Sequence, residues 1–144
     1  MVAHLLLISG PAGVGKTTIC DRLLHEFYPK LVRVVTATSR KPRLGEKNGT
    51  DYLFFSKSEF IEKIHNQKFI EYEIIHGNYY GTLKHSLINI DKDINLLMNI
   101  DVNGAESIQN RISTMENCNL TCRSIFIRPN SMEQLRQRLK HRGT

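Results

Sequence analysis

Residues 10–17 combine glycines, a lysine and a threonine at the spacing of a phosphate-binding loop. They read Gly-Pro-Ala-Gly-Val-Gly-Lys-Thr, which matches the pattern G-x-x-x-x-G-K-[ST]. Glycines let the chain wrap until successive backbone N–H groups point at one anion. Lys16 can reach the terminal phosphates of a nucleotide, and the Thr17 hydroxyl is placed to ligand Mg²⁺. The loop therefore predicts a site for a nucleotide phosphate chain with its Mg²⁺ ion.

The elements on either side of this loop are the ones that the motif needs. Residues 3–9 form an apolar run of strand length, and residues 16–27 repeat apolar side chains at helical spacing. A helix that starts at the loop adds partial positive charge beside the phosphates. A glycine-rich turn that merely contains Lys-Thr is the alternative, and the flanking strand and helix disfavour it. The predicted nucleotide contacts are Gly10, Pro11, Ala12, Gly13, Val14, Gly15, Lys16, Thr17 and Thr18.

A second polar stretch, residues 36–55, carries side chains that could bind a phosphate monoester. Arg40 and Arg43 bracket Pro42, and Tyr52 follows a turn rich in glycine and asparagine. Each guanidinium group on this proline-stiffened loop can bind a phosphate bidentately. Arginines alone favour a solvated basic loop over a phosphate site, so both interpretations stay open at this point.

A third stretch, residues 69–82, completes a resemblance to the guanylate kinase family, which phosphorylates GMP from ATP. It reads Phe-Ile-Glu-Tyr-Glu-Ile-Ile-His-Gly-Asn-Tyr-Tyr-Gly-Thr. The family pattern continues here with Asn-Ile-Asp-Val-Asn-Gly at 99–104, Ile-Phe-Ile-Arg-Pro-Asn-Ser at 125–131 and Arg-Leu-Lys-His-Arg-Gly-Thr at 138–144. The motifs occur in the family's order and span essentially the whole chain.

The resemblance implies an acceptor site that reads guanine. Glu71 would accept hydrogen bonds from guanine N1–H and from the exocyclic amine, whereas adenine has no N1–H. Without its flanking motifs, Glu71 would be interpreted as a solvent-facing residue of an alternating strand, on the same side as Glu73. The GMP contacts that the family implies are Thr36, Arg40, Arg43, Tyr52, Glu71, Tyr80, Thr82 and Asp101.

The family also implies the groups that carry the transfer of the phosphoryl group. Lys16, Arg138 and Arg142 would be the catalytic residues. Thr17 would ligand the Mg²⁺ that accompanies ATP, with Asp101 acting on the ion through water. The mechanism would consist of positioning and charge neutralisation, with no covalent intermediate.

The sequence departs from the family pattern in two places. Asn99 stands where the family usually has Asp, which removes one negative charge near the acceptor site and is expected to alter affinity without abolishing activity. The chain also stops at Thr144, where family members continue with the rest of a lid, a further arginine, a core strand and a helix. We expect that the chain is a fragment or a truncated product and that it is marginally stable. We also expect it to turn over GMP at least ~10³-fold more slowly than a full-length relative.

Alternating strands and helices predict an α/β protein, with the three-layer P-loop kinase fold, a mainly parallel sheet and an inserted GMP-binding lobe. The predicted core comprises residues 1–36 and 83–130, the lobe 37–82, and the start of the lid 131–144. The predicted strands are 3–9, 32–37, 52–55, 69–75, 94–100 and 123–128. The predicted helices are 16–27, 82–90, 103–112 and 131–141, with a further helix from a Ser56 capping box through Asn66.

A content of 40% hydrophobic residues is ordinary for a soluble globular protein, and the net charge of +6 suits polyanionic ligands. The basic residues are scattered and residues 5–8 are too short to span a membrane, so neither nucleic acid nor membrane is an expected partner. The odd cysteine count without a secretory signal predicts a reducing, cytoplasmic location. Cys20 is expected in the core, Cys118 and Cys122 without zinc, and His76 in a loop.

The sequence predicts transfer of the terminal phosphoryl group of ATP to GMP, giving ADP and GDP. One alternative is a non-catalytic guanylate-kinase-like module for nucleotide or protein binding, although such modules have degraded phosphate loops and Lys16 and Thr17 are intact. Another is a truncated fragment that binds nucleotide without turnover. A switch GTPase would need an N-K-x-D motif, which the sequence lacks.

Overall fold

The computed structural model describes residues 2–11 and 13–141, apart from the side chains of Arg138 and His141. The alternation of strands and helices within these ranges confirms the predicted α/β class. In chain order the elements are β1 (His4–Ser9), α1 (Lys16–Phe27), β2 (Leu31–Arg33), β3 (Ala37–Thr38), β4 (Leu53–Phe54), α2 (Lys57–His65), β5 (Phe69–Ile75), β6 (Asn78–Leu83), a 3-10 helix (Lys84–Leu87), β7 (Asn95–Asn99), α3 (Val102–Ile112), β8 (Thr121–Phe126) and α4 (Met132–His141).

The described chain divides into two compact units, each with a sheet of its own. The first unit contains residues up to 33, residues 91–106 and residues from 120 onward. The second unit contains Val34–Ile90 and Ser107–Asn119, so the boundary at residue 106 falls inside α3. The predicted acceptor lobe, residues 37–82, lies within the second unit.

The first unit is built on a parallel sheet with the strand order β2-β7-β1-β8. Parallel strands buried on both faces are rich in aliphatic side chains, and Leu5 and Leu7 of β1 are fully buried. Cys20 of α1 packs with Ile8 and Leu97, which confirms its predicted core position. Burial is the main reason that the pKa of the Cys20 thiol lies above its ordinary value.

The second unit is built on a sheet with the order β4-β3-β6-β5, in which β6 runs antiparallel to both β3 and β5. His76 and Gly77 form the two-residue turn between β5 and β6, with φ angles of 49° and 80°. The Phe60 and Phe69 rings stack at 4.4 Å in the core. The Ser56 hydroxyl accepts a hydrogen bond from the Glu59 backbone N–H, and the Glu59 carboxylate accepts one from the Ser56 N–H, which confirms the predicted capping box.

The prediction of one strand over residues 32–37 is wrong. Leu31–Arg33 pairs with β7 in the first sheet, whereas Ala37–Thr38 pairs with β4 and β6 in the second sheet. The valines and threonine of this run favour extended backbone throughout, and propensity alone does not reveal a change of partner strand.

The prediction of a helix over residues 82–90 is also wrong for most of its length. Thr82 and Leu83 end β6 and are buried, and only Lys84–Leu87 form a 3-10 helix. Asn89 has a φ of 54°, a left-handed conformation that interrupts a right-handed helix. None of the described helices is long and apolar enough to cross a bilayer.

Candidate functional site

The phosphate loop lies between β1 and α1, as the motif predicts. Gly13 and Gly15 have φ angles of 83° and 102°, and Gly15 is the residue that precedes the first turn of α1. This left-handed conformation is open to glycine and strained for other residues. The Lys16 ammonium group donates a hydrogen bond to the Gly10 carbonyl oxygen at 2.7 Å, so its side chain folds back across the loop. The Lys16 ammonium group thus lies beside the first residue of the loop.

Close packing also explains two of the loop's glycines. A Cβ on Gly10 would lie 2.5 Å from the Ile127 carbonyl oxygen, a distance that only a backbone shift could relieve. A Cβ on Gly13 would lie 3.0 Å from a methyl carbon of Leu139 in α4. The loop is therefore seated against α4 and against the residue that follows β8.

The Asn99 side chain, at the end of β7, lies beside the exposed residue Thr17 near the start of α1. The Asn99 amide group lies 3.4 Å from the Thr17 hydroxyl oxygen. Asn99, which we expected to affect the acceptor site, is thus placed beside the phosphate loop. The Asp101 carboxylate accepts a hydrogen bond from the Gly104 backbone N–H at 2.7 Å, so it caps the start of α3. Its predicted action on Mg²⁺ or nucleotide stays a prediction.

Gly104 has a packing role, because a Cβ there would lie 2.7 Å from the Ile100 side chain. A larger residue at this position would require the Ile100 side chain to shift. Among the remaining predicted residues, Ala12 and Arg142 lie outside the described residues. Arg138 lies in α4, and its side chain lies outside them too.

A cavity of about 150 Å³ opens beside the phosphate loop. Its lining consists of Val14, Arg128, Pro129, Asn130 and Gln134. Within the described residues no cluster of three or more metal-ligating side chains occurs. A magnesium ion held largely by substrate phosphates and water needs only one or two protein oxygens, which the Thr17 hydroxyl fits.

In the second unit, Glu46 holds the two predicted phosphate-binding arginines together. Its carboxylate accepts from both terminal nitrogens of Arg40, at 2.8 and 3.1 Å, and from the Arg43 backbone N–H at 2.7 Å. The Arg40 hydrogen bonds, followed by the Arg43 bond, lower the pKa of Glu46 to about 2. The same ion pair is the main reason that the pKa of Arg40 lies above its ordinary value.

Aromatic side chains complete this basic group. The Arg40 guanidinium carbon lies 5.3 Å from the centre of the Tyr52 ring, within cation–π range. The Tyr52 and Tyr80 rings meet edge to face with centres 6.2 Å apart. Tyr80, after Glu46, also contributes to raising the pKa of Arg40. Three of the predicted phosphate contacts, Arg40, Tyr52 and Tyr80, therefore form one cluster, and the backbone of Arg43 reaches the same carboxylate.

Glu71 and Thr82, two of the three residues that the family resemblance places at the guanine base together with Thr36, are direct neighbours. The Thr82 hydroxyl donates to the Glu71 carboxylate at 2.8 Å, and the two residues pair across β5 and β6. Glu71 is only 8% exposed and Thr82 is fully buried. A solvent-facing Glu71, the alternative left by strand alternation, is therefore wrong. Thr36 is half-buried just before β3, and its carbonyl oxygen accepts from the Leu53 N–H at 2.8 Å.

Sequence reasoning missed two residues of this group. Glu46 lies in the Arg-Leu-Gly-Glu segment, and an acidic residue three positions after Arg43 is the one signal that could have suggested it. Thr38 is fully buried, and its hydroxyl donates to the Tyr79 carbonyl oxygen and accepts from the Arg40 N–H. Thr38 thereby fixes the backbone from which Arg40 extends.

A glycine-rich phosphate loop between the first strand and first helix of a parallel sheet defines the class as a P-loop α/β protein. A family model described as guanylate kinase matches residues 2–144. The chain belongs to the guanylate kinase family.

Individual relatives agree with this family assignment. The chain is 40% identical over 141 residues to guanylate kinase of Clostridium perfringens, which covers 97% of this chain and 62% of that protein. It is 42% identical over 145 residues to guanylate kinase of Porphyromonas gingivalis, which covers 99% of this chain and 74% of the relative. The chain thus spans about 62% of the length of the Clostridium relative.

A solved structure supports the fold. The crystal structure of guanylate kinase from Anaplasma phagocytophilum superposes with a TM-score of 0.72 at 34% sequence identity. The match covers 99% of this chain and 68% of the solved chain. The predicted P-loop kinase fold is therefore confirmed.

Proposed function

We propose that the protein transfers the terminal phosphoryl group of ATP to GMP, giving ADP and GDP. The observation that carries this proposal is the buried carboxylate of Glu71, bonded to the Thr82 hydroxyl at 2.8 Å. An ionised carboxylate is costly to bury unless it is hydrogen-bonded, and a ligand that donates further hydrogen bonds gains from meeting it. Guanine offers two adjacent donors, N1–H and the exocyclic amine.

The cluster of Arg40, Tyr52 and Tyr80 is the proposed site of the GMP phosphate, and Arg43 is its proposed fourth member. The bidentate bond to Glu46 holds the Arg40 guanidinium in one orientation before substrate arrives. Pre-organisation of this kind lowers the entropy lost when a long side chain binds its ligand. The Glu46 carboxylate also balances part of the positive charge while the phosphate is absent.

The phosphate loop of the first unit is the proposed site of ATP. Backbone N–H groups at the start of α1 and the Lys16 ammonium group would hold the phosphate chain. Lys16 now donates to the Gly10 carbonyl, and we expect it to turn to the terminal phosphates when ATP binds. Its charge would offset the negative charge of the phosphoryl group in transfer.

Mg²⁺ is the proposed cofactor, with Thr17 as the protein ligand and Asp101 acting through water. When bound, the ion neutralises charge on the phosphate oxygens. The Thr17 hydroxyl is exposed and 3.4 Å from the Asn99 amide, so a neutral amide orients it. Arg138 and Arg142 are further proposed contacts of ATP, and the cytoplasm is the proposed location.

A coupled assay of ADP release tests the proposal directly. With ATP and Mg²⁺ present, GMP should accelerate ADP release, while AMP, CMP and UMP should leave it near the rate without acceptor. The matched control is GMP without ATP, which should give no GDP. Binding of GMP by calorimetry together with no GMP-dependent ADP release would instead favour a nucleotide-binding module without catalysis.

A further inference from the structure

β5 carries an irregularity immediately before the base-reading carboxylate. Phe69 pairs with Leu83 of β6, and Glu71 pairs with Thr82, so β5 advances two residues while β6 advances one. The extra residue is Ile70, which is 2% exposed. A bulge of this kind bends the strand and redirects the side chain that follows it. The bulge explains why three consecutive side chains, Phe69, Ile70 and Glu71, are all buried.

A bulge also takes a backbone carbonyl out of the regular hydrogen-bond pattern between strands. Here a side chain from α3 binds the carbonyl of Ile70. The Arg111 guanidinium, near the end of α3, donates to the Ile70 carbonyl oxygen at 2.6 Å. Arg111 and Ile70 are 41 positions apart in sequence and belong to the same compact unit. A bond from a cation to a carbonyl is stronger than one between neutral groups. Arg111 therefore fixes the peptide that directly precedes Glu71.

We propose that Arg111 is a specificity-determining positioning residue, which holds the bulge in the shape that aims Glu71 at the guanine base. The inference rests on the proposed function, since it assigns the residue a task only if Glu71 reads the base. The proposal gives Arg111 no contact of its own with the substrate: it acts through the peptide that precedes Glu71. Its bond and the Thr82 hydroxyl act on Glu71 from two directions: one sets the backbone, and the other sets the carboxylate.

A purely structural role for Arg111 predicts a different pattern of effects. Loss of a stabilising bond lowers the free energy of unfolding and leaves the ratio of affinities between two purine nucleotides unchanged. Loss of an aiming bond lowers affinity only for ligands that depend on the Glu71 carboxylate. IMP has N1–H but no exocyclic amine, so it engages one fewer donor than GMP, and the ratio of GMP to IMP affinity reports how well Glu71 is aimed.

The experiment measures GMP and IMP affinity by calorimetry for the parent chain, Arg111→Met and Arg111→Lys. Arg111→Met should weaken GMP binding by about 10-fold and lower the ratio of GMP to IMP affinity. Arg111→Lys keeps a cationic donor, so it should recover most of the GMP affinity and most of the ratio of GMP to IMP affinity. Arg22→Met, which removes an exposed arginine from α1, is the matched control and should change neither. Circular dichroism and urea unfolding establish that each variant is folded under the conditions of titration.

A double-mutant cycle with Glu71→Gln decides the mechanism. If Arg111 acts through Glu71, Arg111→Met should change GMP affinity by less than about 2-fold in the Glu71→Gln background. An equal loss in both backgrounds, or an unchanged ratio of GMP to IMP affinity, overturns the inference. The proposed function is judged separately by the parent chain: no preference for GMP over AMP overturns both, whereas a clear preference with an unaffected Arg111→Met overturns this inference alone.

Discussion

The two units build their candidate binding groups in different ways. In the first unit the phosphate loop is one contiguous segment, shaped by glycine conformation and close packing, and its proposed donors are mainly backbone N–H groups. In the second unit the groups are side chains from distant positions, held by other side chains, as in the bonds of Glu46 to Arg40 and of Thr82 to Glu71. The first arrangement depends on space and backbone angle, and the second depends on charge and hydrogen bonding.

Because of this difference, different kinds of substitution should disrupt the binding groups of the two units. A methyl group added at a loop glycine should disrupt the conformation of the phosphate loop. A methyl group added near the side-chain clusters of the second unit should have little effect on them. A changed charge or proton should damage the clusters and matter little to the loop's shape. Lys16 is the exception within the loop, because it contributes a charge from a side chain.

The largest expected effect is on turnover, in Lys16→Met. Removing the ammonium group should slow ATP-to-GMP transfer by about 10³-fold, since a charge that meets the transferring phosphoryl group is lost. GMP affinity should stay within a few-fold, because the proposed GMP contacts, apart from Asp101, lie in the second unit. Turnover and calorimetry on one preparation test both expectations, with exposed Lys30→Met as the matched control. Turnover within a few-fold of the parent would remove the loop from the role of donor site.

The next effect tests whether close packing requires glycine in the phosphate loop. Gly10→Ala should lower the free energy of unfolding by about 2 kcal/mol and weaken ATP binding, because its Cβ would meet the Ile127 carbonyl at 2.5 Å. Gly77→Ala is the matched control: Gly77 has a φ of 80° and open space around it, so only strain of about 1 kcal/mol is expected. Urea unfolding measures both. Equal losses of unfolding free energy in the two variants would show that the backbone angle alone, without packing, accounts for the glycine at position 10.

A smaller effect concerns the element that buttresses the second sheet. Ser56→Ala should lower stability by about 1 kcal/mol, because the Glu59 N–H loses its acceptor at the start of α2. Ser56→Thr keeps a hydroxyl and should recover most of the loss. Thermal unfolding by circular dichroism makes the measurement, and ATP affinity should be unchanged in both variants. A weakened ATP affinity in Ser56→Ala would contradict the view that the phosphate loop of the first unit is independent of the second unit.

The smallest effect is a pH dependence confined to the side-chain half. Glu46 has a pKa of about 2 in the folded protein against an ordinary value of 4.5, so the folded state favours its ionised form. Stability from its bonds is therefore present above the ordinary pKa and is lost as pH falls from 4.5 towards 2. The stability difference between the parent and Glu46→Gln should narrow across that window. A difference that stays constant down to low pH would show that ionisation of Glu46 adds nothing to the free energy of unfolding.

The sequence was most informative where structure is local. The predicted helix at 16–27 matches α1 at both ends, and the helix predicted from Ser56 matches α2 with its caps. A phosphate loop and a capping box involve residues a few positions apart, so their geometry follows from the order of residue types. The membership of Arg40, Tyr52 and Tyr80 in one cluster came from the family resemblance, and composition alone left it open.

Features that depend on pairing between distant segments were not predictable in the same way. The run at 32–37 splits between two sheets because its halves find different partner strands. Glu71 is buried because a bulge at Ile70 breaks the alternation from which exposure would be inferred. Arg111 gave no signal, because its partner is a backbone carbonyl 41 positions away. In each case the deciding contact is not encoded by neighbouring residue types.

The central claim is that the second unit selects guanine through the Glu71 carboxylate. The most direct test is calorimetric titration of the parent chain and Glu71→Gln with GMP and with AMP. The parent should bind GMP more tightly than AMP by on the order of 10³-fold or more, because adenine lacks the N1–H that guanine would donate to the buried carboxylate. Glu71→Gln should lose most of that preference, while ATP affinity stays near that of the parent. Equal affinity of the parent chain for GMP and AMP would contradict the claim.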